Sequence, residues 1–435
     1  MDRFIWNRIL ARRACLAAPV ACLLVLAAAV AGCGRGGDGP PPMPVRLDAE
    51  HGSYRIVHGV PVLTLWGSPA ERGYAHGKLL APQIVEMVDL IASTRLLIWD
   101  KKDYDAVILP LMDRFGFAQD FDAELRGMLD GIEASFGETP MLKRVGRPLE
   151  LADLQALNTV GDWYRQACSS FAAWGEWGTN GHVWVGRNFD FMPARTFYDY
   201  QLIIVHRAHG ENKAWATVAA PGMIGCITGM NEDGVFAAVH DVFLDLRRLE
   251  RGYAPRLLTM RRLMERCGAY DLEAQARPIL EARMQMFDNA ILLAAPVTDG
   301  THPALVFEYN NDYSKDMGVT VRTVEDNSER LGRQAIICTN HFRKRESSRL
   351  TATRYRYPVM KQMLLHQTQR GRGIDFPAAR RVMGSARLPI TIHTVVADLN
   401  SFDLWYASGK YLSPPTANDF VKLPVRDWLH PDPGP

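Results

Sequence analysis

Between residues 168 and 191 the chain reads as a hairpin. Cys168-Ser169-Ser170-Phe171-Ala172-Ala173-Trp174 is followed by a turn at Thr179-Asn180-Gly181 and then by Val185-Gly186-Arg187-Asn188-Phe189-Asp190-Phe191. Two apolar, aromatic-rich runs joined through Asn-Gly are a strong short-range signal for paired antiparallel strands. Such pairing brings Arg187 and Asp190 back beside Cys168, and it commits this part of the chain to a sheet.

The same texture continues downstream. Short apolar runs at His182–Val185, Leu202–Val205, Trp215–Val218, Ile224–Thr228 and Val235–Val239, separated by Gly, Asn and Asp, predict an antiparallel meander. Arg256–Arg266 and Leu272–Met284 read as helices, Ala290–Ala295 and Leu305–Tyr309 as strands, and Ile392–Val396 with Leu404–Tyr406 as a late hairpin. Upstream, Val60, Val62, Leu63 and Leu65 suggest a short strand, with Pro61 favouring an edge position. Apolar residues at Leu79, Leu80, Ile84, Val88, Ile91 and Leu96, and again at Leu125, Met128, Leu129 and Ile132, recur near a 3.6 period. Residues 70–165 are therefore expected to be mostly helical. Strands in runs and helices in separate runs indicate an α+β layer architecture.

Charge excludes a nucleic-acid partner. The 435 residues carry 50 basic and 48 acidic side chains, and without residues 1–32 the balance is 46 to 47. No basic footprint remains. Residues 1–32 themselves read as a signal peptide, with four arginines and then an uncharged apolar run from Ala14 that closes in Val30-Ala31-Gly32-Cys33. The close resembles the bacterial lipoprotein cleavage box, in which Cys33 becomes the lipidated first residue and two acyl chains hold the protein on a membrane. An uncleaved membrane-spanning anchor is the alternative, opposed by Pro19 within the run and by the Gly-Cys junction. Residues 33–53, rich in Gly and Pro up to Pro44, are expected to be a tether, with the folded body beginning near Tyr54. The expected location is the cell envelope, facing the periplasm from the outer membrane, since Gly34 stands where an inner-membrane lipoprotein commonly carries aspartate.

The chemistry is narrowed by elimination. The sequence has no phosphate loop, dinucleotide fingerprint, nucleophile-elbow serine or His-Glu-x-x-His zinc motif. No cofactor and no metal are expected, and His206 with His209 reads as a solvated turn. Outside the leader lie Cys168, Cys226, Cys267 and Cys338, too widely spaced for a disulfide framework. Cys226 and Cys338 adjoin isoleucines and read as core thiols. Cys168, at the start of a strand with an arginine and a carboxylate returning to it, suits a nucleophile. Cutting the Ala167–Cys168 bond would create an α-amino group with a pKa near ~7.7–8.0, able to act as base for the thiol of the same residue. No histidine base is then needed.

These residues resemble a family. Cys-Ser-Ser-Phe-Ala-Ala-Trp followed by Gly-Arg-Asn-Phe-Asp-Phe is similar to the N-terminal-nucleophile hydrolases of the acyl-coenzyme A:6-aminopenicillanate acyltransferase group, relatives of choloylglycine hydrolases and penicillin V acylases. Further motifs follow in the family's order: Trp66-Gly67-Ser68-Pro69 with Gly73 and His76-Gly77, Gly229 to Val235, Thr339-Asn340-His341-Phe342, Ser347-Ser348-Arg349, and His393 to Asp398 with Leu404-Trp405. The resemblance implies a four-layer αββα sandwich of antiparallel sheets. It implies autocatalytic cleavage between Ala167 and Cys168, with residues 54–167 a mostly helical propeptide that stays bound as a subunit and 168–435 the catalytic segment. It assigns Cys168 as nucleophile, Asp190 and Arg187 to the α-amine and the thiolate, Asn340 as side-chain oxyanion donor and Arg349 as a supporting arginine. The implied partner is a small N-acyl substrate.

One position departs from the pattern. Relatives place an asparagine where this chain has His240-Asp241, and an ionised Asp241 accepts but cannot donate. The departure leaves open His240 as the donor, a strand shifted by one, or a catalytically silent member acting as a membrane-anchored binding module. A papain-like protease using His341 as base is a third reading, and it requires a helix starting at Cys168.

Overall fold

The computed structural model describes residues 40–93, 104–164, 166–191, 194–242, 251–296, 302–309, 318–327, 331–345, 354–369, 371 and 373–431. The predicted leader, Cys33 and Arg349 lie outside these residues.

In chain order the strands are β1 (Arg46–Ala49), β2 (Gly52–Val57), β3 (Val60–Leu65), β4 (Met141–Leu142), β5 (Arg147–Pro148), β6 (Ala167–Gly175), β7 (Gly181–Asp190), β8 (Leu202–His206), β9 (Trp215–Ala219), β10 (Thr228–Asn231), β11 (Phe236–Asp241), β12 (Asn289–Ala294), β13 (Ala304–Tyr309), β14 (Val319–Arg322), β15 (Ala335–Cys338), β16 (Thr391–Asp398), β17 (Asp403–Ser408) and β18 (Val421–Leu423). The helices that cover the sheets are α1 (Pro69–Ser93), α2 (Gln119–Phe136), α3 (Arg256–Arg266), α4 (Leu272–Glu281), α5 (Arg356–Thr368) and α6 (Phe376–Ala386). Short helices at Leu151–Asn158 and Val160–Trp163 lead toward β6.

Two sheets face each other. A ten-stranded sheet runs β1-β2-β3-β8-β9-β10-β11-β12-β13-β14, and a six-stranded sheet runs β15-β6-β7-β16-β17-β18. The alternation of each strand divides its side chains between two layers. Val60, Val62, Ile203, Val205, Ala172, Trp174, Val185 and Val395 pack between the sheets. Leu63, Leu65, Ile204, Trp215 and Leu293 face the α1, α2 and α3 side, while Phe171, Ala173, Trp184 and Val396 face α5 and α6. The result is the expected αββα sandwich.

Helices α1 and α2 pack backbone to backbone because glycines line both surfaces. A Cβ on Gly73 would stand 1.9 Å from the Glu124 carbonyl oxygen, and one on Gly127 would stand 2.2 Å from that of Ala70. A buried ionic cluster ties this pair to α3: Glu124 accepts from Arg72 at 3.0 Å and from Arg261 at 2.8 Å, and Arg261 also reaches Glu265 at 2.7 Å.

Several expectations change. The sheet begins at Arg46, eight residues before Tyr54, and the preceding prolines lie against the body, with the Pro42 carbonyl accepting from Gln83 at 2.6 Å. Strand β3 is interior, with β2 on one side and β8 parallel to it on the other; Pro61 is accommodated because the β8 pairing starts at Val62. Ile224–Ile227 is irregular chain after a turn at Pro221–Gly222, where Gly222 has a φ of +84°, and the strand begins only at Thr228. His206 is not solvated: it ends β8 buried and stacked on Trp215 at 4.3 Å. Among the described residues there is no cluster of three metal-ligating groups and no helix long and apolar enough to cross a membrane.

Candidate active site

Cys168 is the second residue of β6 and is fully buried. Antiparallel register sets Ala167 opposite Asp190, Cys168 opposite Phe189 and Ser170 opposite Arg187. Strand alternation puts Cys168 and Ser170 on the face of Ala172 and Trp174, toward the other sheet, together with Arg187. Asp190, three residues from Arg187, points to the opposite face. The hairpin thus brings both residues back to the cysteine, as the sequence predicts, but delivers them to different sides of the sheet.

A chain of polar contacts surrounds the Ala167–Cys168 bond. The Cys168 N–H donates to Asn340 Oδ1 at 2.8 Å, and its carbonyl accepts from Arg356 Nη2 at 2.8 Å. Arg356 also contacts Asn340 Oδ1 and donates through Nη1 to Asp190 Oδ2 at 2.5 Å. The second Asp190 oxygen accepts from the Thr391 hydroxyl. On the other side of the Ala167–Cys168 bond, the Gln166 N–H donates to Asp241 Oδ2 at 2.6 Å, and Asp241 pairs with Arg256. Asn340 Nδ2 donates to the Asp241 carbonyl at 2.7 Å. Elements more than 180 residues apart therefore converge on one peptide bond.

The departure at 240–241 has a structural explanation. Neither residue offers a side-chain donor to an oxyanion here. Asp241 accepts from Gln166 and Arg256, while His240 donates through Nδ1 to the Ala290 carbonyl at 3.1 Å and accepts at Nε2 from the Ser170 hydroxyl at 2.8 Å. Burial, with Arg187 adding to it, holds His240 neutral by pulling its pKa well below the usual imidazole range. Asn340, expected as a donor, uses its oxygen to accept from Cys168 in this uncut chain.

Arg356 is the residue that sequence reasoning missed. Arg349, predicted for the supporting role, lies outside the described residues, and Arg356 at the start of α5 is the arginine that meets Asp190, Asn340 and Cys168. The only sequence hint is its place in an arginine-rich run ahead of a helix. Thr391 and Arg256 were likewise not foreseen. The papain-like reading fails because Cys168 lies in a strand.

Burial pushes the Cys168 thiol up to about 11; Arg187 and Arg356 oppose the rise, and Asp190 and Asp241 add to it. Burial also raises Asp190, against Arg356 and Thr391, which hold the charged form. In the uncut chain the sulfur is thus a neutral thiol, sealed from solvent beside a peptide bond held at both ends. Cys226, Cys267 and Cys338 are buried free thiols as well.

Phe189, which faces Cys168 across the strand pair, also borders a small cavity of about 20 Å³ lined by Phe191, Phe197, Met223, Gln166 and His393.

The chain is similar over part of its length to known proteins. An uncharacterised protein of Archaeoglobus fulgidus is 26% identical over 195 residues, a match that covers 41% of this chain and 32% of that protein, so the chain spans about a third of the relative it matches. Among solved structures, the Caenorhabditis elegans ortholog of N-acylethanolamine-hydrolyzing acid amidase superposes with a TM-score of 0.42 at 14% identity, over 59% of this chain and 100% of that one. Penicillin V acylase from Agrobacterium tumefaciens gives a TM-score of 0.32 at 12% identity, over 55% and 83%. The family described as acyl-coenzyme A:6-aminopenicillanic acid acyl-transferase matches residues 177–371, a span that starts after Cys168 and contains Arg187, Asp190, Asp241, Asn340 and Arg356. Over these residues the chain is similar to the acyl-coenzyme A:6-aminopenicillanic acid acyl-transferase family.

Proposed function

We propose that the protein is a self-processing cysteine amidohydrolase or acyltransferase acting on a small N-acyl substrate. The observation that carries this reading is the Ala167–Cys168 bond itself, buried at the start of β6 with the amide N–H on Asn340 and the following carbonyl on Arg356. In maturation the Cys168 thiol adds to the Ala167 carbonyl, the C–N bond breaks as the acyl group moves to sulfur, and the nitrogen takes a proton to become the α-amine. Water then hydrolyses the thioester, leaving an Ala167 carboxylate and a free thiol.

The amide nitrogen already bonded to Asn340 Oδ1 becomes the catalytic base in place. With a pKa near ~7.7–8.0 it can take the thiol proton at neutral pH and return it to a departing amine. Arg187 supplies positive charge that favours the thiolate. The acyl-enzyme passes its acyl group to water or to a second amine.

Intact-mass analysis of purified protein tests the reading. Two fragments split between residues 167 and 168 are expected, with Cys168→Ala remaining one chain and the processed form acquiring an acyl adduct on Cys168 from N-acyl substrates. A wild type that hydrolyses N-acyl amides while uncut refutes processing and spares the nucleophile; a processed form that binds without forming the adduct favours a binding module. We also propose that Cys33 carries a lipid anchor on the envelope, supported by the sequence pattern alone; palmitate incorporation should be lost in Cys33→Ala.

A further inference from the structure

Arg256 is 1% exposed, yet only part of its guanidinium is used. Nη1 pairs with Asp241, and the backbone N–H of Arg256 donates to Asp162 at 3.0 Å. Nε and Nη2 have no partner. Those two nitrogens form one side of the guanidinium fork, the edge that takes a carboxylate through two parallel hydrogen bonds. Leaving such an edge buried and empty is costly, since each unmet donor forfeits its hydration.

Two nitrogen donors pack closely against Gly161, where a Cβ would stand 3.2 Å from Arg256 Nη2 and 2.9 Å from Gln166 Nε2. Gln166 also ties the place to the scissile bond. Its N–H rests on the same Asp241 that holds Arg256, and the next residue is Ala167.

Resting on the processing reading above, we propose that the free fork of Arg256 is the receptor for the α-carboxylate of Ala167 created by self-cleavage. Hydrolysis of the thioester gives that carboxylate on the residue that follows Gln166, whose amide shares Asp241 with Arg256. Cleavage adds one carboxylate together with one amine, so docking the carboxylate on Arg256 keeps the new charge paired. The docked tail also holds Val160 and Gln166 in place as part of the cavity wall, so the severed segment goes on shaping the site.

Carboxypeptidase treatment of processed full-length protein, followed by intact mass, tests this. The small fragment of the wild type should lose Ala167 about tenfold more slowly than that of Arg256→Lys, which keeps a charge for Asp241 but has no fork. Equal trimming overturns the proposal. If Arg256→Lys fails to cleave, the wild type decides alone: with carbon-13 in alanine carbonyls, the new carboxylate should titrate below the ordinary range of about 3.3–3.7, and a titration within that range overturns the proposal. Free trimming of Ala167 combined with a raised KM in Arg256→Lys for carboxylate-bearing substrates alone assigns the fork to substrate and overturns it too. A wild type that stays as one mass overturns both this proposal and processing, whereas two masses with rapid trimming overturn only this one.

Discussion

Arg356 Nη1 stands 2.5 Å from Asp190 Oδ2, with both side chains fully buried. The same guanidinium holds the Cys168 carbonyl, so this one pair fixes the position of the strand that carries Cys168. Arg356→Met strands the Asp190 carboxylate in the interior, and removing one partner of a buried pair is worth about 3–5 kcal/mol. The urea midpoint should fall accordingly and cleavage should cease. Arg356→Lys, which keeps the charge without the fork, should retain most of the stability while cleaving slowly.

Cys168 should change its reactivity when the chain is cut. With its thiol pushed up to about 11 by burial, the sulfur of freshly made precursor should react with iodoacetamide only slowly at pH 7, with each rise of one pH unit bringing about a tenfold gain up to pH 11. Processed protein should react near neutrality. Peptide mapping of Cys168 alkylation across pH distinguishes the two forms.

Asp162 makes precursor stability depend on pH with an unusual sign. Burial lifts its carboxyl to about 7, against Arg256 and with Asp241 adding to the rise. Between pH 4 and 7 the folded state therefore holds a proton that the unfolded chain has released. Stability contributed by this group is full below about pH 4 and declines as pH rises through 7, by on the order of 4 kcal/mol. Denaturation of Cys168→Ala with and without Asp162→Asn should show the wild-type aspartate losing stability across that window relative to the asparagine.

Glu124 behaves in the opposite way. Burial alone would raise its carboxyl, but Arg261 and Arg72 outweigh burial and hold it at about 2. Its contribution is present above the ordinary value of 4.5 and disappears as pH falls through 2. Glu124→Gln leaves two buried arginines short of a counter-charge and should cost about 3–5 kcal/mol, read as a lowered thermal midpoint. Because Arg72 and Glu124 precede the cut and Arg261 follows it, the same variant should loosen the small fragment from the large one in size-exclusion chromatography of processed protein.

The Cys168 hairpin was legible because its information is local: alternating apolar residues and an Asn-Gly turn determine partner and register together. The opposite facing of Arg187 and Asp190 was not read from the sequence, although a spacing of three on a strand reverses the side. Nor was Arg356. It lies 188 residues from Cys168 among several arginines, and only the closing of α5 against the six-stranded sheet selects it. The Ile224–Ile227 stretch was misread because buried irregular chain and a buried strand show the same apolar run, and the positive φ of Gly222 decides between them. The role of Asp241 was hidden for another reason: its partners, the Gln166 amide and Arg256, come from separate segments that meet only in the folded chain.

The parallel union of β3 with β8 would make the proposed cut a one-way commitment. Lifting away the first segment would strip β8 of a neighbour and bare a row of amides and carbonyls that invites aggregation. A nicked molecule, once melted, has two pieces that must find each other again, whereas an uncut one carries its missing strand along. Cooling after heat shock should accordingly restore Cys168→Ala and leave the nicked wild type insoluble.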